Sequence, residues 1–319
     1  MPESATRFLA RQMERLRRIP RRKRIVFPEG GDARVRAAAE RLEQDGLVEP
    51  VLITGELASP HYAELYLERR RAKGVTLAEA RAIAGLPLYR AALMVAAGEA
   101  DGGVGGAVNT TAETVRAALH CIGTAPQVRT VSGVFFMCVQ DPAFGHEGVL
   151  AFADCALVPD PSPLEIAEIA IATAHSMRIV AGALPRIALL SFSTKGSAVH
   201  PSIDKMTEGL RLLRERAPDL DADGELQADA ALIAAVGASK APGSPVAGRA
   251  NILIFPDLAS ANIGYKLVER LGGAVAFGPF LQGLAKPFND LSRGSSEEEI
   301  YGAAIITALQ SEGTAIASV

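Results

Sequence analysis

The chain lacks several features that would point to particular classes of protein. It has no tryptophan, aromatic residues make up only 5% of its 319 residues, and it has three cysteines, Cys121, Cys138 and Cys155. An odd number of cysteines without CxxC spacing argues against disulfides or zinc and indicates buried thiols in a reducing compartment. No apolar run approaches the roughly 18–20 residues that span a bilayer. We therefore expect a cytoplasmic protein that has no membrane segment.

Charge and histidine content narrow the function classes further. The formal net charge is −3, so no bulk field would attract nucleic acid or a membrane surface. Basic residues do concentrate between positions 11 and 24, but no aromatic residues are interleaved as a single-strand binder requires. We interpret this stretch as a solvated amphipathic helix with Phe8, Leu9, Met13 and Leu16 on its apolar face. The five histidines show no metal-binding spacing, and we predict no metal site.

Apolar strand-like runs alternate with helical patterns along most of the chain, which predicts βαβ units and a mainly parallel sheet. We expect strands at residues 24–27, 51–54, 130–139, 150–158, 187–193, 251–255 and 274–277, with helices at 60–73, 77–85, 164–178 and 297–309. Stretches 123–126 and 278–287 contain glycine and proline, and we interpret them as crossings between domains. The predicted domains are 1–127 with 282–319, and 128–281.

The segment from Gly278 to Gly294 is the most informative one. It leaves an apolar run, passes through what we expect to be a loop rich in glycine and proline, and brings Ser292 and Arg293 just before a helix. A hydroxyl, a planar cation and the free N–H groups of a helix start suit a phosphate or acyl-phosphate oxyanion.

A second candidate site lies in residues 102–113. The glycines resemble a dinucleotide-binding loop, but GxGxxG fails because the third position is Val108. Thr110 and Glu113 form a capping box that opens a helix and presents Arg116 one turn later. These residues fit either a phosphate site or an ordinary capped helix.

Weaker candidates follow two other apolar runs. Ser193 and Lys195 lie directly after a strand, where open α/β sheets bind ligands, although a polar surface turn fits equally well. Lys266 lies on a predicted helix with Asn262 and Tyr265. Residues 69–71 are three consecutive arginines, and a phosphate-rich ligand such as coenzyme A (CoA) would be one reason to gather them.

In chain order, these loops resemble the phosphate acetyltransferase family, also called phosphotransacetylases. The matching segments are 28–32, 106–111, 160–161, 190–194, 239–249, 255–258 and 289–294, so the similarity covers nearly the whole chain. The resemblance implies a two-domain, three-layer α/β/α fold akin to isocitrate and isopropylmalate dehydrogenases. It also implies a homodimer and an active site in the cleft between the domains.

The resemblance further implies reversible acetyl transfer, acetyl-CoA + phosphate ⇌ acetyl phosphate + CoA, without a covalent enzyme intermediate. CoA is then a substrate, and no cofactor is expected. Ser292 and Arg293 match the family's catalytic pair, and Glu299 falls where the family has a catalytic Asp. Arg70 and Arg116 match arginines implicated in CoA binding, and we add Thr110, Ser193, Lys195 and Lys266 as further CoA- or phosphate-binding candidates.

Two departures from the family pattern leave alternatives open. Glu299 also completes a capping box with Ser296, so it can be a base or only a helix cap. The chain between Gly55 and Tyr66 is shorter than is typical, which predicts a shortened N-terminal domain. The alternatives are a phosphate butyryltransferase and a non-catalytic acetyl-CoA-sensing module. A related decarboxylating dehydrogenase lacks support, since neither a cofactor-binding motif nor clustered metal-binding aspartates are present.

Overall fold

A computed structural model describes residues 2–55, 57 and 59–313. These residues form two compact units, one of residues 2–10 with Val128–Gly283 and one of Arg11–Gln127 with 284–313. The predicted extension of the N-terminal domain to residue 319 includes residues 314–319, which lie outside the described residues.

Strands and helices alternate along the chain. In chain order the strands are β1 (Lys23–Phe27), β2 (Val48–Leu52), β3 (Gly102–Gly105), β4 (Ser132–Cys138), β5 (Val149–Ala153), β6 (Arg186–Leu190), β7 (Asp221–Leu226), β8 (Ile252–Ile254), β9 (Val275–Gln282) and β10 (Phe288–Asp290). The helices are α1 (Glu3–Arg17), α2 (Ala33–Gln44), α3 (Pro60–Arg70), α4 (Leu77–Gly85), α5 (Pro87–Ala97), α6 (Thr111–Cys121), α7 (Pro163–Ser176), α8 (Pro201–Arg216), α9 (Ala228–Leu232), α10 (Ala234–Lys240), α11 (Leu258–Arg270) and α12 (Glu297–Gln310).

The unit built on residues 11–127 and 284–313 contains a four-stranded parallel sheet in the order β10-β3-β1-β2. Helix α2 packs its apolar stripe inward, and its buried residues are the four that the 3.6-residue spacing predicts: Val35, Ala38, Ala39 and Leu42. Because all four strands are parallel, their carboxyl ends lie at one edge of the sheet.

The other unit contains a six-stranded sheet in the order β7-β6-β8-β5-β4-β9. Strand β4 pairs antiparallel with β5 and β9, and the remaining pairs are parallel. Every residue of β4 and β5 is buried, as expected of strands covered on both faces. The predicted α/β class with a mainly parallel sheet is confirmed.

The loop expected at residues 278–294 is wrong for much of its length. Residues 275–282 form β9, which pairs with β4, and residues 288–290 form β10, which pairs with β3. Glycine and proline discourage strand structure locally, but here neighbouring strands supply ladder partners that the sequence pattern does not reveal.

Two other strand predictions also needed correction. The strand expected at 150–158 ends at Ala153, because the Asp154 carboxylate accepts hydrogen bonds from the N–H groups of Gly133, Ala156 and Val158 at 2.7–2.9 Å. Strand β7, with the sequence DADGEL, was not predicted, since half of its residues are acidic and none is β-branched or aromatic.

The first helix corrects the predicted domain limits. Residues 2–10 were assigned to the N-terminal domain, yet they group with the six-stranded sheet. The Phe8 ring lies 5.8 Å from that of Phe136 and 5.4 Å from that of Phe277, and the Ser4 hydroxyl donates to the Val139 carbonyl at 2.6 Å. These long-range contacts cannot be inferred from local pattern. The amphipathic helix itself is confirmed as α1, with Phe8 and Leu16 buried.

Three other expectations concern the cysteines, a membrane segment and a metal site. All three cysteines are free and buried, and burial raises the pKa of Cys121 and Cys138 to about 12. Within the described residues, no single helix has both the length and the apolar composition to cross a membrane; α4 and α5 pass that test only as a pair, bent by 98°. No group of three His, Cys, Asp or Glu residues in the described part of the chain is arranged to hold a metal ion.

Candidate active site

The carboxyl ends of β10, β3 and β1 bring three loops to one edge of the four-stranded sheet. The loops run from residue 291 to 296, from 106 to 110 and from 28 to 32. The Leu291 N–H continues the sheet pairing by donating to the Gly105 carbonyl at 2.7 Å. This edge is where open parallel sheets bind ligands.

Ser292 and Arg293 occupy an exposed turn between β10 and α12. The turn closes through a hydrogen bond from the Ser295 N–H to the Ser292 carbonyl at 2.9 Å. Helix α12 then begins, so a hydroxyl and a guanidinium lie just before its N-terminus, as the sequence predicted. This combination can receive a phosphate oxygen.

Glu299 lies in the first turn of α12 and is exposed. Its carboxylate accepts hydrogen bonds from the Ser296 N–H at 2.6 Å and the Ser296 hydroxyl at 3.0 Å, which confirms the predicted capping box. The carboxylate is therefore fixed at the helix start by local contacts.

Arg34 ties the three loops together. Its Nη1 donates to the carbonyls of Arg293 at 3.0 Å and Ser295 at 2.8 Å, while Nη2 donates to the Ala107 carbonyl at 3.0 Å. Asp32 holds the other side of the guanidinium through hydrogen bonds of 2.8–3.1 Å, and these contacts lower the pKa of Asp32. The backbone of the Ser292–Arg293 turn is thus positioned by a planar, multiply bonded cation.

Glu29 organises the loop after β3. Its buried carboxylate accepts hydrogen bonds from the backbone N–H groups of residues 106–109, at 2.8–3.1 Å, and from the Asn109 side-chain amide at 2.7 Å. Five donors thus converge on one side chain. The loop that leads to α6 is therefore folded around the Glu29 carboxylate.

Asp290 lies beneath this loop. It is 3% exposed, and its Oδ1 has no hydrogen-bond partner among the described residues. Burial raises the pKa of Asp290 to about 6, and the nearby Glu29 charge adds to the shift, while bonds with Thr111 and Thr114 oppose it. Gly106 has a φ of +102°, and a Cβ there would lie 2.5 Å from the Leu291 carbonyl oxygen. Only glycine fits this close approach.

The carboxylate of Glu113, in the first turn of α6, lies near two of the predicted site residues, Arg116 and Arg293. Thr110 and Glu113 form the predicted capping box, with Glu113 Oε2 accepting from the Thr110 N–H and hydroxyl at 2.8 Å. Those bonds lower the pKa of Glu113, and the positive charges of Arg116 and Arg293 lower it further. Arg116 and Arg293 therefore lie within electrostatic reach of the same group.

A cleft of about 550 Å³ adjoins these loops within the same unit. Its lining carries both apolar and polar groups, and includes Leu86, Pro87, Tyr89, Val108, Asn109 and Glu113. Arg70 lies at the end of α3, close to Tyr66, and its Nε is buried with no partner among the described residues.

Three predicted binding residues belong to the other unit. Ser193 is fully buried, and its hydroxyl donates to Glu225 at 3.0 Å. Lys195 pairs with Asp223 at 2.5 Å and with the Gly224 carbonyl at 3.0 Å, while Lys266 is exposed and lies 5.9 Å from the Tyr265 ring. Ser193 and Lys195 thus have protein partners, and their binding roles stay predictions.

Sequence reasoning missed Glu29, Arg34 and Asp290 as organisers of the site. Glu29 and Asp290 are charged residues at strand ends within quoted motifs, and Arg34 lies two residues after the 28–32 motif. The backbone groups that Glu29 and Arg34 bind lie between 73 and 261 positions away along the chain, so no local pattern shows them.

Comparison with known proteins gives the same result as the motifs. The family model described as phosphate acetyl/butaryl transferase matches residues 7–308. A phosphate acetyltransferase of Paracoccus denitrificans is 48% identical over 301 residues, covering 90% of this chain and 95% of the relative. A phosphotransacetylase from Streptococcus pyogenes superposes with a TM-score of 0.90 at 42% identity, covering 96% of this chain and 98% of that chain.

A more distant structure agrees in fold. A branched-chain phosphotransacylase from Enterococcus faecalis has a TM-score of 0.65 at 17% identity, covering 91% of this chain and 99% of that chain. Together these matches confirm the family resemblance, the fold class and the prediction of an enzyme.

Proposed function

The chain belongs to the phosphate acetyl/butaryl transferase family, and on that premise we propose that it transfers an acetyl group reversibly between acetyl phosphate and CoA. The observation that carries the proposal is the exposed Ser292–Arg293 turn, held by Arg34 at the carboxyl edge of a parallel sheet. Arg293 binds the phosphate, and Ser292 donates a hydrogen bond to the acyl oxygen as charge develops there.

The CoA thiolate attacks the acetyl carbonyl directly, the new C–S bond replaces the C–O bond to phosphate, and phosphate leaves. We propose Glu299 as the group that takes the thiol proton. Reference pKa values of ~4.3 for Glu and ~8.5 for a thiol put this transfer about 4 units, or roughly 6 kcal/mol, uphill. The positive charges of Arg116 and Arg293 close that gap in part, because they stabilise the thiolate.

The phosphates of CoA bind to Arg70 and Arg116 in this proposal. Arg70 offers a buried Nε without a partner among the described residues, and Arg116 is exposed on α6. Thr110, Ser193, Lys195 and Lys266 stay as secondary candidates. The position of the site between the two domains and the absence of a cofactor also stay predictions.

Acetyl is the favoured acyl group. Relatives that are 43–48% identical over about 90% of this chain are phosphate acetyltransferases, and we extend that specificity to this protein. A butyryl enzyme is the alternative, and initial rates with acetyl-CoA and butyryl-CoA at equal concentrations distinguish the two.

We also propose that the protein is a cytoplasmic homodimer. Ile263 and Leu267 on α11 and Leu271 directly after it are spaced by four residues, and all three are exposed, by 59%, 52% and 82%. Side chains with this spacing form one apolar helix face. Size-exclusion chromatography with light scattering tests the proposal: Leu267→Glu should shift the mass toward one chain, whereas Lys266→Glu on the adjacent face should leave it unchanged.

The activity test follows phosphate- and CoA-dependent loss of the acetyl-CoA thioester, with Ser292→Ala and Arg293→Ala in parallel. We expect robust wild-type turnover, and a loss of several orders of magnitude in kcat for Arg293→Ala. Arg249→Ala, an exposed arginine of the other unit, is the matched control and should retain activity. Acetyl-CoA binding without any turnover would replace the enzyme proposal with the sensing module, and wild-type rates in Arg293→Ala would remove Arg293 from the mechanism.

A further inference from the structure

His120, on α6, lies in a cluster of aromatic and basic side chains, and the function proposed above gives the histidine itself no role. The Tyr66 hydroxyl lies 3.3 Å from His120 Nδ1, and the rings of Tyr66 and Tyr89 lie 6.5 and 6.4 Å from the imidazole ring. Tyr66 comes from α3 and Tyr89 from α5, so three helices surround the histidine.

The contact with Tyr66 indicates which nitrogen of neutral His120 carries the proton. Arg70 lies close to Tyr66 and can only donate, so a hydrogen bond from it would leave the phenol proton free to point at Nδ1. Burial raises the pKa of Tyr66, so the phenol keeps that proton. In the neutral imidazole, Nδ1 therefore accepts from Tyr66 and Nε2 carries the hydrogen.

The charges around His120 favour the neutral form while no anion is present. Burial lowers the pKa of His120, and the positive charges of Arg70 and Arg116 lower it further. The other titratable neighbours are uncharged near neutrality, since burial raises the pKa of Tyr89, and that of Cys121 to about 12. In this cluster, the two arginines are thus the charges that oppose a proton on the imidazole.

A phosphate group would reverse this balance. Between Arg70 and Arg116, its negative charge would offset the repulsion that keeps His120 neutral and would add an acceptor for an imidazolium N–H. The unpartnered buried Nε of Arg70 shows that the arginine retains donor capacity that no described residue uses.

Resting on the CoA-dependent function above, we propose that His120 is a third binding residue for a phosphate group of CoA and takes up a proton when that group binds beside Arg70 and Arg116. The binding reaction is anion plus proton, with the proton taken from solvent and placed on His120 Nδ1. Tyr66 then accepts a hydrogen bond from the imidazolium instead of donating one.

Proton uptake makes the affinity for CoA depend on pH. Binding raises the pKa of His120, so CoA binds more tightly at low pH and more weakly as pH rises through the window between the free and bound values. Within that window, the dissociation constant increases by up to about tenfold per pH unit.

The test is calorimetric titration of the full chain with CoA in buffers of different ionisation enthalpy, at several pH values between about 6 and about 8. The slope of enthalpy against buffer enthalpy gives the protons taken up. The 3′-phosphate of CoA itself titrates near pH 6, so the informative quantity is the difference between wild type and His120→Gln. His61→Gln is the matched control, because His61 is exposed in the same unit and faces Glu99 at 3.7 Å.

We expect several tenths of a proton more uptake by wild type and His61→Gln than by His120→Gln, together with a flatter pH dependence of the dissociation constant in His120→Gln. Tyr66→Phe should give an intermediate value, because the free histidine loses the hydrogen bond that favours its neutral form. Equal uptake by wild type and His120→Gln would overturn the inference while leaving the enzyme proposal intact. Absence of both CoA binding and turnover in wild type would instead overturn the enzyme proposal, and the inference with it.

Discussion

The guanidinium of Arg34 donates a hydrogen bond of 3.0 Å to the backbone carbonyl of Arg293, a residue 259 positions later in the chain. The same guanidinium holds the carbonyls of Ser295 and Ala107. One side chain near the start of α2 thus sets the backbone of the turn that presents Ser292 and Arg293. A lysine would supply the charge but not the planar set of donors.

We therefore expect Arg34→Lys to lower kcat by roughly 10- to 100-fold, because a displacement of about 1 Å in a reacting group is enough for such a loss. The measurement is steady-state kinetics well below the melting temperature of each variant. Arg36→Lys is the control, since Arg36 is exposed on the same helix. A wild-type kcat in Arg34→Lys would show that the clamp is not needed for turnover.

Gly106→Ala should destabilise the fold by about 2–4 kcal/mol. The residue has a φ of +102°, and the added methyl group would meet Asp290 and the backbone of Leu291. Gly31→Ala gives a matched comparison, because a Cβ there has no atom within 4 Å and should change stability by less than about 1 kcal/mol. Urea unfolding of both variants checks the difference, and similar stabilities would contradict it.

Asp290 should make stability depend on pH in the unusual direction. Its folded pKa of about 6 lies above the unfolded value of about 3.9, so the folded state binds the proton more tightly. Its contribution to the free energy of unfolding is therefore greatest below pH 4 and is lost as pH rises to 6, by about 2–3 kcal/mol.

The measurement is urea unfolding of wild type and Asp290→Asn at several pH values. Asparagine is nearly isosteric and does not titrate, so its stability relative to wild type should increase between pH 4 and pH 7. A constant difference between the two proteins across that range would show that Asp290 is not protonated in the folded state near pH 5.

Glu299 and Ser296 form one capping box, so their variants separate a catalytic role from a structural one. Ser296→Ala and Glu299→Gln each weaken the α12 start, and the loss of the cap should cost about 1 kcal/mol in Ser296→Ala. If Glu299 takes the thiol proton, only Glu299→Gln should lower kcat by 100-fold or more. Equal and small effects on kcat in both variants would leave Glu299 as a helix cap.

Much of the fold follows from local patterns in the sequence. The spacing of apolar residues in α2 and the capping boxes of α6 and α12 depend on contacts within a few residues, and the structure has them as expected. Strands β7 and β10 and the end of β9 were missed because pairing with distant strands, rather than local propensity, makes them strands.

The sequence by itself determined the family, the α/β class and the Ser292–Arg293 motif, because these are carried by short stretches whose residue types and order are specific. Only the tertiary structure decided how that motif is held. Glu29 collects the N–H groups of residues 106–109, Arg34 binds carbonyls on two other loops, and Asp290 is buried beneath Gly106. Each of these contacts joins residues far apart in the chain, and their partners are backbone groups, which every residue carries and no sequence pattern marks.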